Sequence, residues 1–516
     1  KEGNKYISGI AQQFNSNDNL SFKTGLDYDM NDRNSFSFSF TKGKQGYDNG
    51  TRSRYHIFTY KTDDYYKSRY DMNVEGDALS FTGDYTRKFS ENHSLSANIF
   101  VSTWEGFDCN KLDEFNTNSL FIDNSIASKL DYTKNNSSKQ VRSNIDYSRP
   151  VMNGKFEIGF QYRFESRVED LLFRNYEIIS EEWILNNAYS YHQNYSNSIY
   201  SGYLMYSGKY AGINYQAGIR SEQFTREISY TSENEPIIFN KFLLYPSMHF
   251  SKDINEKHQF QLNYSRRINR PQPWLLNSTP SYIDANNVFM GNPYIKFEFT
   301  DALEFNYRTG IKKINVSTQT YLRNTTNPFT SARYIDKEGK FSHQLTNAKR
   351  QVAFGVEQNI DSKITKWLQL NGNINLYHYI LETQIMSTDE TREVNTWDAR
   401  ITSSCNFKTK TQVQATGTYR AANYDAMGRN SGFFNFNLGV NQSFLQGRLR
   451  AGLSCQNLFN TIKFDYSVKT EDFQNIYDIR FEGPTFTASL TYNLNNFQNK
   501  NRGRADDTSF KSGGGL

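Results

Sequence analysis

The sequence has no long apolar run, little proline and almost no cysteine. It contains 516 residues, of which 9 are proline and 3 are cysteine, and hydrophobic residues make up 37% of the chain. Its richest local apolar run is FLLY at 242–245, whereas a membrane-spanning helix needs about 18 or more consecutive apolar residues. The three cysteines are far apart, so they show none of the short spacings that bind a metal. These absences exclude a helical membrane protein and argue against a large soluble core of ordinary composition.

Neither charge nor any catalytic motif indicates an enzyme or a nucleic-acid-binding protein. The chain has 59 basic and 54 acidic residues, a formal net charge of +5, and no clustered basic face. It contains no G-x-S-x-G, no H-E-x-x-H and no glycine-rich phosphate loop. The histidines are isolated from one another, at 56, 93, 192, 249, 258, 343 and 378. We therefore predict no nucleic-acid partner, no enzymatic activity, no catalytic residue, no cofactor and no metal site.

What the sequence does contain is alternation. Aromatic residues make up 16% of the chain, with 40 Phe and 36 Tyr, and many of them occupy every second position of a segment. In TFTASLTYNLN at 485–495, apolar side chains alternate with hydroxyl and amide side chains. Because successive side chains of a β-strand point to opposite faces, this period predicts a strand with one apolar and one polar face. The same pattern recurs at 35–40, 156–164, 368–376 and 434–440.

So many two-faced strands predict an all-β fold, a transmembrane antiparallel β-barrel over residues 1–497. In lipid every backbone polar group must be paired within the protein, so strands cross a membrane only as a closed barrel with its apolar face outward. A soluble β-propeller is the alternative, but it requires blade repeats of about 40 residues, and the sequence shows none. Cys455 continues the apolar face of its segment, so we expect it to contact lipid. In the last strand the residues predicted to face lipid are Phe486, Leu490, Tyr492 and Leu494.

Turn lengths predict the strand number and the orientation, because outer-membrane barrels have short periplasmic turns and long extracellular loops. Short turns are predicted at 31–34, 62–64, 90–93, 151–154, 207–210, 254–257, 309–313, 361–366, 408–411 and 445–447. Ten such turns in a barrel with periplasmic ends give about 22 strands. The alternative is 20, because the turn at 62–64 and the first hairpin have weak signals. Long loops usually carry function, and those predicted here are 107–137, 170–195, 227–240, 271–297, 326–346 and 461–483.

Several segments resemble those of one receptor family. YSRRINRP at 264–271 and GNPYIKFEFTDALEFNYR at 291–308 resemble the Arg-Pro and Gly-Asn-Pro-x-Leu-Lys-Pro-Glu signatures of TonB-dependent outer-membrane receptors. FLLYPSMHFS, YQAGIRSE and CQNLFN resemble other barrel segments of that family, and SLTYNL resembles the terminal strand read by outer-membrane assembly machinery. The likeness is most specific between 240 and 310. Phe297 departs from it, since the family usually has proline there.

The resemblance implies energised, TonB-dependent uptake of an external nutrient, such as a metal chelate, a glycan or a peptide, in the outer membrane of a Gram-negative bacterium. It implies membrane lipid as surroundings and contact with the TonB system through a plug domain. No plug is recognisable in these residues, so we expect one upstream. The alternative is a plugless structural or assembly barrel that serves as a platform for envelope lipoproteins. A plug and TonB box upstream would favour uptake.

The matched motif positions are the predicted site, as structural residues or as contacts of a plug or substrate. They are Arg266, Arg267, Asn269, Arg270, Pro271, Gly291, Asn292, Pro293, Lys296 and Glu298. The alternation predicts that Arg267 and Asn269 point into the lumen. Charges of both signs share the inward parity elsewhere, including Arg163 and Glu165, as a hydrated lumen or a plug-docking surface requires. Residues 498–516 have no periodicity and several glycines, and are predicted to form a flexible periplasmic tail.

Overall fold

A computed structural model describes residues 6–59, 62–231, 235–282, 287–336, 339–385, 388–470 and 473–494. The predicted tail at 498–516 lies outside the described residues. In chain order the strands are β1 (Tyr6–Asn31), β2 (Asn34–Phe58), β3 (Asp63–Ser90), β4 (His93–Thr117), β5 (Asp123–Val151), β6 (Gly154–Glu177), β7 (Glu182–Leu185), β8 (Tyr191–Tyr210), β9 (Ile213–Tyr230), β10 (Ile237–Asn255), β11 (His258–Asn269), β12 (Ser281–Tyr282), β13 (Asn287–Met290), β14 (Glu298–Ile311), β15 (Ile314–Thr326), β16 (Phe329–Ile335), β17 (Phe341–Asn347), β18 (Arg350–Lys363), β19 (Leu368–Ile385), β20 (Thr388–Asn406), β21 (Thr411–Arg420), β22 (Asn423–Tyr424), β23 (Gly428–Asn430), β24 (Phe433–Phe444), β25 (Leu449–Gln456), β26 (Lys463–Lys469), β27 (Gln474–Arg480) and β28 (Thr485–Tyr492). Short 3-10 turns lie at Pro273–Leu276 and Leu445–Gly447.

The wall is one antiparallel sheet in which each strand pairs with the next along the chain. Within the described residues this sheet has 20 strands, one of which, β7, is a short extension that pairs only with the outer end of β6. The remaining strands form two small sheets, one of β12, β13, β17 and β16 and one of β22, β23, β26 and β27. No helix in the described part of the chain is long and apolar enough to cross a bilayer. The predicted transmembrane antiparallel β-barrel is confirmed. Without β7 the described wall has 19 of these 20 strands, fewer than either expected count. The reason is that β1 begins at the end of the wall opposite the 31–34 turn, so the described strands do not start at the periplasmic end as expected.

The strand register keeps like faces together across the sheet. Between β25 and β28, Ala451 pairs with Leu490 and Leu453 with Ala488, whereas Ser454 pairs with Thr487. Leu490 is 73% exposed, as a lipid-facing side chain is when no lipid is present. A shift of one residue would turn every apolar side chain inward. The alternation in the sequence therefore fixes both the pairing and the outward face.

Two predicted turns were wrong. The one at 207–210 lies inside β8, with the turn to β9 following at 211–212, and the one at 62–64 lies at the other end of the wall. The strands β1, β2, β3 and β4 pair along their lengths, and the connections at 31–34 and 90–93 lie at the same end of the wall. The link between β2 and β3 therefore lies at the opposite end, so the turn predicted at 62–64 belongs to an extracellular hairpin. Polar residues such as Thr59 and Thr62 close that hairpin through their hydroxyls, 3.0 Å apart. A short polar turn looks alike in sequence at either end of a barrel.

The long extracellular connections are mostly β-structure. The segment at 107–137 consists largely of β4 and β5, which continue past the membrane as a paired hairpin. The connections at 271–297 and 326–346 supply the small sheet of β12, β13, β16 and β17. The segment at 461–483 supplies β26 and β27. The extracellular end of the barrel is therefore covered by folded segments. We call this part, which contains the two small sheets, the cap.

The best-buried apolar residues lie under this cap. In one cluster, Tyr282 and Val288 from the 271–297 segment pack against Leu112 and Phe173 of the extended hairpins. In a second cluster, Leu276 and Ile295 pack against strands β8 and β9, and neither side chain exposes more than 1% of its surface. Burying such side chains stabilises the fold by about 1.5–3 kcal/mol each. The segment at 271–297 is thus held firmly against the inner wall.

Candidate functional site

The Arg-Pro motif sits where β11 ends and the chain turns into the barrel. Arg266 faces outward, 4.0 Å from the Asp301 carboxylate and with its guanidinium 5.3 Å from the Phe299 ring centre. Arg267 and Asn269 have the opposite parity, and the Asn269 amide donates to Glu298 at 3.5 Å. The motif is therefore divided between the two faces of the wall.

Arg270 is the motif residue that reaches a charged cluster inside the barrel. Its guanidinium donates to the Glu222 carboxylate and lies 3.4 Å from the Tyr245 hydroxyl. The same carboxylate accepts from Arg220 Nε at 2.8 Å and is 4% exposed. A buried carboxylate held by two guanidinium groups is a strong, directional anchor. It fixes the point at which the chain leaves the wall and enters the lumen, just before Pro271.

The Gly-Asn-Pro motif forms the return of the same segment. Gly291 donates its backbone N–H to the Asn277 carbonyl at 2.8 Å, and Asn292 donates its N–H to the Leu275 carbonyl at 2.7 Å. A Cβ atom at Gly291 would lie 2.4 Å from the first of these oxygens and 2.5 Å from the second. Only glycine fits there. The Asn292 side chain then caps the turn by accepting from the Tyr294 N–H at 3.0 Å.

The end of the motif ties the returning segment to its neighbours. The Pro293 carbonyl accepts from the buried Arg226 guanidinium at 3.1 Å. Lys296 contributes its backbone, which bonds Asn347 through its N–H at 2.8 Å, and its side chain does not enter these contacts. The Glu298 carboxylate accepts the Phe329 N–H at 2.9 Å. The motif residues thus position the two ends of the 271–297 segment in the extracellular opening of the barrel, which we call the extracellular mouth.

Phe297, the departure from the family pattern, has a packing role. Its ring centre lies 4.8 Å from that of Phe224 and 4.6 Å from that of Phe239, and the side chain is 2% exposed. The Arg270 guanidinium lies over the same ring at 5.8 Å. Proline could not supply this aromatic contact. The substitution exchanges a rigid turn for a buried ring beside the charged cluster.

A cavity of about 450 Å³ lies beside this segment on the inner wall. It is bounded by strands β4, β5, β6, β8 and β9 and by the chain at 270–273. Its lining residues include Phe100, Arg142, Arg163, Glu165, Tyr195, Phe224, Arg226 and Arg270. The volume is in the range of small-molecule sites, which combine apolar walls with a few polar groups.

The two small sheets of the cap meet through a second polar cluster. Arg333 lies 3.2 Å from the Asp425 carboxylate, and its guanidinium is 4.1 Å from the Tyr466 ring centre. His343 Nε2 lies 3.1 Å from the Tyr477 hydroxyl. Burial, and then the positive charge of Arg333, lower the pKa of His343 to about 4. His343 is therefore neutral at physiological pH.

No metal site is found within the described ranges, where no group of three or more His, Cys, Asp or Glu could hold an ion. The three cysteines are unpaired. Cys455 lies on the outward face, opposite Phe486 in β28, but is only 6% exposed. It is thus on the predicted face, with neighbouring protein atoms covering most of its surface.

Sequence reasoning found the segments of this site but not all of its residues. Arg163 and Glu165 were assigned to the lumen by parity, and both line the cavity. Glu222 lies within a motif-like segment but has no motif role that would reveal its ion pairs, and Arg226 and Arg142 lie in none. The signal that could have found them is parity, since Arg220, Glu222 and Arg226 are separated by even steps on β9. The contact between Glu222 and Arg270 could not be predicted from parity, because it depends on how the 271–297 segment folds.

Comparison with known protein families gives one match. A family model described as "Outer membrane protein beta-barrel family" matches residues 103–492. That range covers the motif segments and most of the wall strands. A search of curated protein sequences finds no significant match.

Solved structures of similar fold are barrels of low sequence identity. The Copper transporter OprC has a TM-score of 0.59 and 10% identity, over 95% of this chain and 81% of its own. BauA, the ferric preacinetobactin receptor from Acinetobacter baumannii, has a TM-score of 0.53 and 11% identity, over 94% and 79%. The ferric-catecholate import receptor Fiu from K12 E. coli has a TM-score of 0.52 and 11% identity, over 95% and 81%. At such identities the likeness shows the fold alone.

Proposed function

Because this chain belongs to the outer membrane protein β-barrel family, we propose that it is the barrel of a receptor that takes up an external nutrient by energised, TonB-dependent transport. The observation that carries the proposal is the folded extracellular mouth. There the 271–297 segment is anchored by Arg270 and Glu222 and lies beside a cavity lined with polar and aromatic side chains. Sites that recognise small solutes are usually concave and largely preformed, as this one is.

The names of the similar structures support import of a small solute. One is called a copper transporter, one a ferric preacinetobactin receptor and one a ferric-catecholate import receptor. Each name describes a transporter or receptor. The proposed role is therefore passage of a solute, with binding residues and no chemical step. Dependence on TonB is proposed from the sequence resemblance alone, and it requires a plug domain.

The two faces of the wall suit the proposed transport role. Its inner face carries charges of both signs, as in the pair Glu304 and Arg323 at 3.2 Å and the pair Lys155 and Glu157 at 2.6 Å. These groups keep the lumen hydrated and can hold a plug by many weak contacts. The outer face carries exposed apolar side chains such as Phe160 and Phe305. The barrel thus joins a wet interior to a lipid-facing exterior.

Growth and uptake measurements test the proposal. Deletion of the gene should slow growth on one limiting nutrient in a panel of metal chelates, glycans and peptides. The full-length gene should restore growth, and a protonophore should abolish uptake of that nutrient by the restored strain. If the deletion strain takes up every member of the panel at the wild-type rate, or if uptake persists after the proton gradient is collapsed, the proposal is wrong.

A further inference from the structure

Two arginines lie directly opposite each other on neighbouring strands in the wall of the cavity. Arg142 on β5 and Arg163 on β6 are register partners, and both side chains line the cavity. Like charges directly opposite each other in an antiparallel pair destabilise the sheet. The fold therefore carries an unfavourable contact at this position, although a neutral side chain at either residue would remove it.

Their neighbours do not compensate for this repulsion. Arg163 Nε donates to the Gln161 amide oxygen at 2.7 Å, a neutral acceptor that also accepts from Arg220 at 2.9 Å. The Arg142 guanidinium lies over the Phe100 ring at 5.2 Å. Among the described residues, neither Arg142 nor Arg163 has a carboxylate within 4.0 Å. Positive charge is thus concentrated here, and the nearest carboxylates, Glu165 and Glu222, form no ion pair with either guanidinium.

A third arginine of the same cavity is buried and incompletely bonded. Arg226 is 2% exposed, and its Nη2 donates to the Pro293 carbonyl at 3.1 Å. Its Nε has no acceptor within the described part of the chain, and neither does the Nε of Arg270. A buried donor without an acceptor costs about 1–3 kcal/mol, and more when it is charged. Both residues line the cavity, so their guanidinium groups add to its positive charge.

The nearby acidic groups are already engaged. Glu222 is shared between Arg220 and Arg270. Glu165, the one carboxylate among the lining residues, accepts from the Asn197 amide at 3.0 Å and lies 3.9 Å from Arg167. Four arginines therefore line the cavity with one carboxylate, and the excess charge is positive.

We propose that this cavity binds a small anion that carries at least two carboxylate or phosphate groups. One group would lie between Arg142 and Arg163 and cancel their repulsion, and another would meet the guanidinium groups of Arg226 and Arg270. The planar guanidinium fork matches both carboxylate and phosphate, often with two hydrogen bonds to one group. The aromatic rings of Phe100, Tyr195 and Phe224 provide apolar walls for the rest of the ligand. The inference rests on the proposed uptake function and names its class of ligand.

Citrate and pyrophosphate are suitable probes of the two chemistries, with spermidine as a cationic control. The full-length protein, purified in detergent, should bind at least one of the two anions in isothermal titration calorimetry and should be stabilised by it against heat. Spermidine should do neither. The Arg142→Gln and Arg163→Gln variants should each weaken anion binding at least tenfold, since a hydrogen bond to a charged group contributes about 1.5–3 kcal/mol.

The unfolding temperature of the same variants without ligand separates a ligand-binding role from a merely structural one. Without ligand, each should unfold at the same temperature as the wild type or higher, because the substitution removes a repulsion. Arg308→Gln is the matched control, since Arg308 faces the lumen but does not line the cavity, and it should bind the anions normally. The inference is overturned if neither anion binds, or if Arg142→Gln and Arg163→Gln bind as the wild type does.

Uptake measurements separate this inference from the proposed function. If Arg142→Gln loses anion binding while the cells still take up the nutrient of the growth assay, the barrel is a receptor and the cavity is not its ligand site. If the anion binds but deletion of the gene changes no uptake, the cavity is an anion site and the proposed function fails.

Discussion

At Gly291 two carbonyl oxygens, those of Leu275 and Asn277, come so close that a Cβ atom would lie 2.5 and 2.4 Å from them. Both oxygens belong to the backbone of the segment that enters the barrel, so neither can move aside cheaply. The hydrogen bonds donated by Gly291 and Asn292 hold that segment closed. A single hydrogen atom in place of a side chain thus determines how the extracellular mouth is built.

Gly291→Ala should therefore open the 271–297 segment. Overpacking of this kind costs about 1–3 kcal/mol, and the exposed aromatic residues Trp274 and Tyr294 should become rapid sites for chymotrypsin. Gly372→Ala is the control, because nothing lies within 4 Å of the position of its Cβ. Equal resistance of Gly291→Ala and wild type to the protease would contradict this account of the turn.

His343 should make the contact between the two cap sheets sensitive to acid. Its folded pKa of about 4 lies below the usual 6.5, so between these values the undocked state binds the proton more readily. Docking is strongest above pH 6.5 and weakens as the pH falls from 6.5 towards 4. Spin labels at the exposed positions Ile335 and Ile476, in a cysteine-free background, should report a broader distance distribution at pH 4.5 than at pH 7.

The control for this prediction is His343→Gln, which cannot titrate in that range. Its distance distribution should be the same at both pH values. A pH response of equal size in this variant would show that another group controls the docking.

The sequence predicts the residues of the mouth better than it predicts their contacts. Arg270 and Gly291 were identified as motif positions, and both are essential to the geometry of the segment. Arg226 was not identified, because its role depends on a carbonyl 67 residues away, at Pro293. Alternation assigns a side chain to the inner face of a strand. It does not say which part of an inward-folding loop that side chain will meet.

At the scale of elements, the ion cluster around Glu222 joins the wall strand β9 to the end of β11 and the segment that follows. Its carboxylate is 4% exposed and holds both Arg220 and Arg270. Removing one charge from such a buried group leaves the others without a partner. The cluster is therefore the attachment of the loop segment to the wall.

Glu222→Gln should loosen this attachment by about 3–5 kcal/mol, as expected when a buried ion pair is broken. We expect faster backbone hydrogen exchange across 271–297. The exchange rate at the periplasmic end of β9, near Ile213, should not change. Glu75→Gln removes a pair that lies at the surface, where Lys44 and Glu75 side chains are 61% and 57% exposed, and should have little effect. Uniform acceleration of exchange along β9 in Glu222→Gln would mean that the cluster stabilises the wall and not the loop.

The strand elements themselves were largely predictable. Period two identified the segments at 156–164 and 434–440, which lie in β6 and β24. The extracellular hairpins were predicted as loops because their outer halves no longer alternate lipid-facing with water-facing residues. Past the membrane both faces of a strand meet water or protein, so the pattern disappears while the backbone pairing continues, as it does from 107 to 117 in β4.

At the scale of the whole molecule, the two faces of the wall have opposite tasks. The outward face must be apolar because lipid offers no hydrogen bonds, and the inward face must be polar because it borders water, a plug or a solute. In β25 and β28 the register keeps these faces separate, with Leu453 beside Ala488 and Ser454 beside Thr487. Insertion into the outer membrane and the proposed uptake both depend on this division.

The most direct test places the same charge on each face of the last strand. Arginine on the lipid face near the bilayer midplane costs roughly 2–4 kcal/mol, whereas a lumen position is far more tolerant. Leu490→Arg should therefore abolish the heat-modifiable folded band in a semi-native gel or reduce it sharply, and Thr491→Arg should leave that band nearly intact. Equal loss of the band in both variants, or equal retention of it, would contradict a membrane barrel with one lipid-facing side.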